Sequence, residues 1–154
     1  MKRVGALSHI LETSAALKAS LLEAGTRKHF SATDVLFHEE SDNAGVFLML
    51  QGKVCLSVKN LPRLDRNFGS GSVLGLPSTF TRHSYSLTAT AITEVEAVHV
   101  APEDFVRLMR DYPELCREAT EMLGREVTFI QSALAERRRQ AAGSRPLGSD
   151  LAVV

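Results

Sequence analysis

The residues with the most chemical potential crowd into one short window. Ser78 and Thr79 offer hydroxyls, Arg82 a permanent cation and His83 an imidazole. Hydroxyls that cap a short helix, backed by a cation, are groups that receive a phosphate or carboxylate. The competing reading makes Ser78 and Thr79 turn residues and Arg82 a solvated loop charge. The remaining histidines, His9, His29, His38 and His99, show no HxH or HExxH spacing with each other or with His83, so no metal site is implied. By alternation, His99 falls on the outward side of a strand. Glu39 and Glu40 are adjacent carboxylates, and neighbours in a strand or turn point apart, which suits a solvated turn better than acid–base work. Cys55 and Cys116 lack CxxC spacing and fall at apolar-patterned positions, as reduced buried thiols do. Arg137-Arg138-Arg139 reads as the basic end of a helix, with a weak phosphate contact as the alternative.

Several elements must position that window. Leu7, Ile10, Leu11, Leu17, Leu21 and Leu22 recur at helical spacing over residues 6–24, and Gly25 supplies the stop. From Thr26 to Val100 short apolar runs alternate with turn signals at Ser41-Asp42-Asn43, Asn60 to Pro62 and Asn67 to Ser72. The runs are Val35 to Phe37, the wholly apolar Val46 to Leu50, Val54 to Val58, Ser86 to Ala91 and Val95 to Val100. Many short strands at near-regular spacing predict a sandwich, roll or barrel. Helix returns at Pro102, a residue suited to the first helical position, and restarts at Pro113. In that last helix Cys116, Thr120, Leu123, Val127, Ile130 and Leu134 are spaced 4, 3, 4, 3, 4, an a/d heptad seam. Such a seam suits a parallel homodimer, or packing against the helix's own domain. Residues 140–154, rich in Gly, Ser, Ala and Pro, read as a flexible tail after a domain spanning 1–139.

The 154-residue chain carries 18 basic and 18 acidic residues, so no global charge draws it to nucleic acid or an anionic membrane. Neither a signal peptide nor a membrane span is visible, and the expected compartment is the cytoplasm.

This order of elements resembles the cyclic-nucleotide-binding domain of the Crp–Fnr (catabolite activator) superfamily. Leu48-Met49-Leu50-Gln51-Gly52-Lys53-Val54 is similar to that family's strand–Gly–strand hairpin. Gly69 to Gly75 is similar to the glycine-rich approach to its phosphate-binding cassette, and Phe105 to Leu115 to its two-helix junction. The resemblance covers roughly residues 7–138. It implies an α+β, mainly β, fold: an antiparallel β-roll or jelly roll with an N-terminal helix, a short cassette helix and two C-terminal helices, the last long and dimerising. It implies a small-molecule effector and no catalysis.

Two departures bear on the ligand. The family's ribose-gripping Glu is matched here by Leu76, and its phosphate-pairing Arg by Tyr85, before Ser86-Leu87; the cassette is also one residue shorter. Each lost charge-assisted hydrogen bond removes roughly 1.5–3 kcal/mol of binding. The expectation is therefore a sensing module with a degenerate cassette and an altered ligand. Candidate contacts are Gly75, Leu76, Ser78, Thr79, Arg82, His83, Tyr85, Ser86 and, from the long helix, Gln131. A ligand-free interaction and dimerisation module is the alternative, and the expected interface is Thr120, Leu123, Val127, Ile130 and Leu134. Haem, which some relatives hold through a pocket histidine such as His38 or His83 would offer, lacks a second axial ligand here. A jelly-roll enzyme would need inward histidines with a Glu on a strand, a pattern not seen. No helix-turn-helix unit is legible after Arg139, so DNA binding in the superfamily's manner is not expected of this chain.

Overall fold

The structure, a computed structural model, describes residues 14–61 and 65–143. Helix α1 (Ala15–Ala24) is built mainly of Ala and Leu and begins at Ser14, whose side chain accepts the Leu17 N–H at 3.2 Å. Leu7, Ile10 and Leu11 lie outside the described residues. α1 ends at Gly25, where a Cβ would sit 2.5 Å from Val98 Cγ1. This glycine serves close approach.

Eight strands follow: β1 (Thr26–Phe30), β2 (Val35–Phe37), β3 (Val46–Gln51), β4 (Val54–Ser57), β5 (Arg66–Phe68), β6 (Val73–Leu74), β7 (Thr88–Ala91) and β8 (Val95–Val100). They form two four-stranded antiparallel sheets, ordered β1-β8-β3-β6 and β2-β7-β4-β5. β3 explains its own composition. Phe47 and Met49 join a core between the sheets, with Phe37, Tyr85 and Leu87. Val46 and Leu48, on its other face, join a core under the helices with Leu17, Phe105, Leu115, Ala119 and Met122. A strand buried on both faces reads as a continuous apolar run.

Between β6 and β7 lies the short helix α2 (Leu76–Thr81). Helix α3 (Pro102–Asp111) opens with Pro in its first turn followed by Glu103 and Asp104, and carries Arg110 in its last turn, all matching the helix dipole. Helix α4 (Pro113–Gly143) runs 31 residues.

The expected β-roll with its flanking helices is the fold observed. Four local readings change. Asn67 and Phe68, read as turn, pair with Cys55 and Val54 in β5. Ser86 and Leu87, read as strand, precede β7. His99 is half-buried, its ring 4.9 Å from Phe47 and its Nε2–H donating to the Ala44 carbonyl, because β8 is covered by the turn before β3. α4 continues past Arg139 to Gly143, so the three arginines do not close it.

Candidate ligand site in the cassette

The cassette begins at Gly75, whose φ of 88° is left-handed backbone that glycine adopts without strain. A Cβ here would lie 2.9 Å from the Gly45 carbonyl and 3.2 Å from the Tyr85 ring. The cassette thus packs directly on the 43–45 turn and on Tyr85. α2 starts at Gly75 without a side-chain cap. Ser78 and Thr79, expected to cap it, do not. Both are buried, and the Thr79 hydroxyl turns back to donate to the Gly75 carbonyl at 2.8 Å. Pro77, in the first turn, has no N–H to offer an anion. Arg82 ends α2 in a left-handed conformation with φ 59°, its N–H donating to the Ser78 carbonyl.

Leu76 is only 1% exposed and belongs to the helix-side core. A carboxylate at this position would be desolvated among leucines.

Tyr85 organises the other wall. Its ring stacks on Phe37 at 4.0 Å and 16°. Its hydroxyl donates to the Gly45 carbonyl at 2.7 Å and accepts the Ala44 N–H at 2.9 Å. Its backbone N–H donates to Ser41 O, and its carbonyl accepts from Glu40 N–H. Burial pushes the phenol above its ordinary value of 10.0, and the backbone bonds to Ala44 and Gly45 pull partway back. The side chain is neutral at physiological pH and 3% exposed.

Phe37, Gly75, Pro77, Ser78, Tyr85, Ser86 and Leu87 line the cleft. The lining holds aromatic, aliphatic and hydroxyl groups and no charge. The free space is about 10 Å³ for a water-sized body, near the size of a single water site. Of the candidate contacts, the fold brings together Gly75, Ser78, Tyr85 and Ser86. Leu76 and Thr79 are buried beside them, while Arg82 and His83 are exposed and do not line the cleft. Gln131 is exposed on α4, well beyond Met122, the last fully buried residue among the described part of that helix. Nothing in the sequence marks Phe37 or the Asn43–Gly45 turn as site residues except the glycine itself, whose φ of 109° and close approach to Val100 O exclude a side chain.

The other chemically interesting residues do not line the cleft. His29 pairs with Glu94 at 2.8 Å on the exposed face of β1, and His38 is exposed. The Glu39 carboxylate is not merely solvated: it accepts the Lys59 N–H at 2.8 Å, tying the end of β4 to the turn after β2. Burial and the charge of Asp65 push the Cys55 thiol up, away from a reactive thiolate. Among the described residues no three metal-ligating side chains converge.

The family described as "Cyclic nucleotide-binding domain" matches residues 27–112, more than half of the chain. The chain belongs to this family. This cyclic-nucleotide-binding domain is similar in structure to Thermus thermophilus catabolite activator protein, with a TM-score of 0.66 and 21% identity, the match covering 79% of this chain and 59% of that one. It thus spans well under two thirds of that activator. A structure described as "A cyclic-GMP-dependent signalling pathway regulates bacterial phytopathogenesis" matches at TM-score 0.65 and 21% identity, over 79% of this chain and 96% of that one. The N-terminal domain of a transcriptional regulator from Streptomyces coelicolor A3(2) matches at TM-score 0.55 and 21% identity, over 89% of this chain and 90% of that one. At such identities the likeness establishes the fold. No curated protein matches in sequence.

Among the described residues no helix is long and apolar enough to cross a membrane. On α4, Cys116 and Leu123 are partly buried against the domain's own core, and Thr120 is exposed with its hydroxyl donating to the Cys116 carbonyl. For Val127, Ile130 and Leu134 the structure describes the helix but not the side chains.

Proposed function

We propose that this domain is a regulatory module that passes the state of its β-roll to α4, with a cassette remodelled so that a cyclic nucleotide is not gripped by charge. The observation that carries the reading is the uncharged cleft: where an ion pair would hold a cyclic phosphate, Tyr85 is buried and bonded to main chain. An anion entering this lining would lose hydration with no cation to replace it. Arg82, the cation the sequence offers, is not among the lining residues. An effector suited to this lining is small and uncharged, contacting Ser78 and Ser86.

The narrowness of the cleft, about 10 Å³, favours a second reading in which the domain works ligand-free as an interaction module. Thermal denaturation with cyclic AMP, cyclic GMP, cyclic dinucleotides and haem tests both. A ligand at about 100 times its dissociation constant adds roughly 2.7 kcal/mol, several degrees of melting temperature. No shift with any of the four is expected. A shift of several degrees with a cyclic nucleotide would refute the uncharged-cassette reading.

The a/d spacing of α4 supports a parallel homodimer in which residues 127, 130 and 134 carry the seam. Leu123 is partly used by its own domain, so Ile130→Lys is the cleaner probe. The variant should sediment as a monomer where the unaltered chain sediments as a dimer. An unchanged dimer would place the interface elsewhere.

A further inference from the structure

We infer that Tyr85 is the built-in occupant of the cassette and the latch that holds α2 against the C-terminal helices. The inference rests on the reading that the roll's state is passed to α4.

The phenol does from within the chain what a bound ligand would do from outside. It fills the cleft wall, and its single hydroxyl satisfies two main-chain groups, the Ala44 N–H and the Gly45 carbonyl. Its ring closes on Phe37 from one side and approaches Gly75 from the other. Three separate segments, β2, the 43–45 turn and the start of α2, therefore converge on one side chain. Asn43 braces the same turn: its Oδ1 accepts the Gly45 N–H at 2.9 Å and lies 3.3 Å from the Thr79 hydroxyl, whose proton goes to the Gly75 carbonyl.

The far side of α2 faces the helices. Leu76 sits in the core with Leu115, Ala119 and Met122 of α4. Phe80 packs edge-on to Phe105 of α3, with centroids 5.4 Å apart at 84°. A shift at Gly75 is thus carried by one short rigid helix into the seat of α3 and α4. Packed elements of this kind respond in discrete steps rather than by gradual deformation. Tyr85 sets the resting position of α4, and its displacement is what would free that helix.

Hydrogen exchange resolved by residue tests this in the whole chain. Tyr85→Phe keeps the ring stack and removes only the hydroxyl. Amides of residues 76 and 78–83 and of α4 residues 115–122 should then exchange about tenfold faster, as expected for loss of a doubly bonded buried hydroxyl. Faster exchange confined to residues 43–46, with α4 unchanged, would overturn the latch and leave Tyr85 as local packing. Tyr85→Gly with added p-cresol, and separately with toluene, supplies the second arm. Recovery of the original α4 rates with p-cresol alone is the expected result. An equal effect of the two additives, none included, would overturn the role of the hydroxyl. Neither arm uses a cyclic nucleotide, so failure here is distinguishable from failure of the uncharged-cassette reading.

Discussion

The two cores of this domain share one strand and differ in kind. The core under the helices, built on Val46, Leu48, Phe105 and Met122, is packed aliphatic and aromatic surface. The core between the sheets contains Tyr85, and with it a set of directional bonds to main chain. The first is held by area and shape, the second also by one hydroxyl in one place. β3 separates the cores by a single backbone, and α2 touches both. The helix-side core takes no side chain from position 85 and is reached from it only through α2.

Substitutions in each core test how differently the two are held. Phe105→Ala should have the largest effect. It empties a side chain 1% exposed and removes the edge contact with Phe80, costing about 3–5 kcal/mol in chemical denaturation. A loss below 1 kcal/mol would mean the helix-side core collapses freely around the void. Gly75→Ala strikes the cassette instead. Left-handed backbone and a Cβ crowded by the Gly45 carbonyl should cost about 2–3 kcal/mol. An unchanged midpoint would show that the cassette and the 43–45 turn are not in firm contact. The smallest effect is in alkali. The folded phenol of Tyr85 titrates above its ordinary 10.0, so its contribution is intact below that pH and is lost as pH rises from there through the folded value. The stability of Tyr85→Phe, lower at neutral pH, should therefore decline less between neutral pH and pH 11 than that of the unaltered chain. Parallel declines would contradict the assignment.

Much of the architecture was legible because the residues involved are buried symmetrically or stiffened locally. Val46 to Leu50 reads as a strand because both faces of β3 are covered. Pro102 and Pro113 mark helix starts because a missing N–H is harmless only there. β1 gives no strand signal in sequence, since Thr26 to His29 are exposed and the strand is held by pairing with β8 rather than by burial. β5 reads as a turn in sequence because Asn67 carries turn chemistry and Phe68 is only partly covered. At the site, Leu76 and Tyr85 stand out in sequence because the resemblance leads to a Glu and an Arg at those positions. What Tyr85 does is not legible there, because its hydroxyl partners lie 40 residues upstream and nothing local to position 85 signals them. For the same reason Arg82 and His83 looked like site residues in sequence. Proximity along the chain says little where Arg82 turns the backbone left-handed and outward.

We propose a cassette that is uncharged and already occupied by Tyr85. A crystal structure of the chain grown with millimolar cyclic AMP would put this to the test. The cleft should be unaltered, with Tyr85 stacked on Phe37 and bonded to Ala44 and Gly45, and should hold no nucleotide density. Nucleotide in the cleft, with Tyr85 swung out and Arg82 turned in to the phosphate, would contradict it.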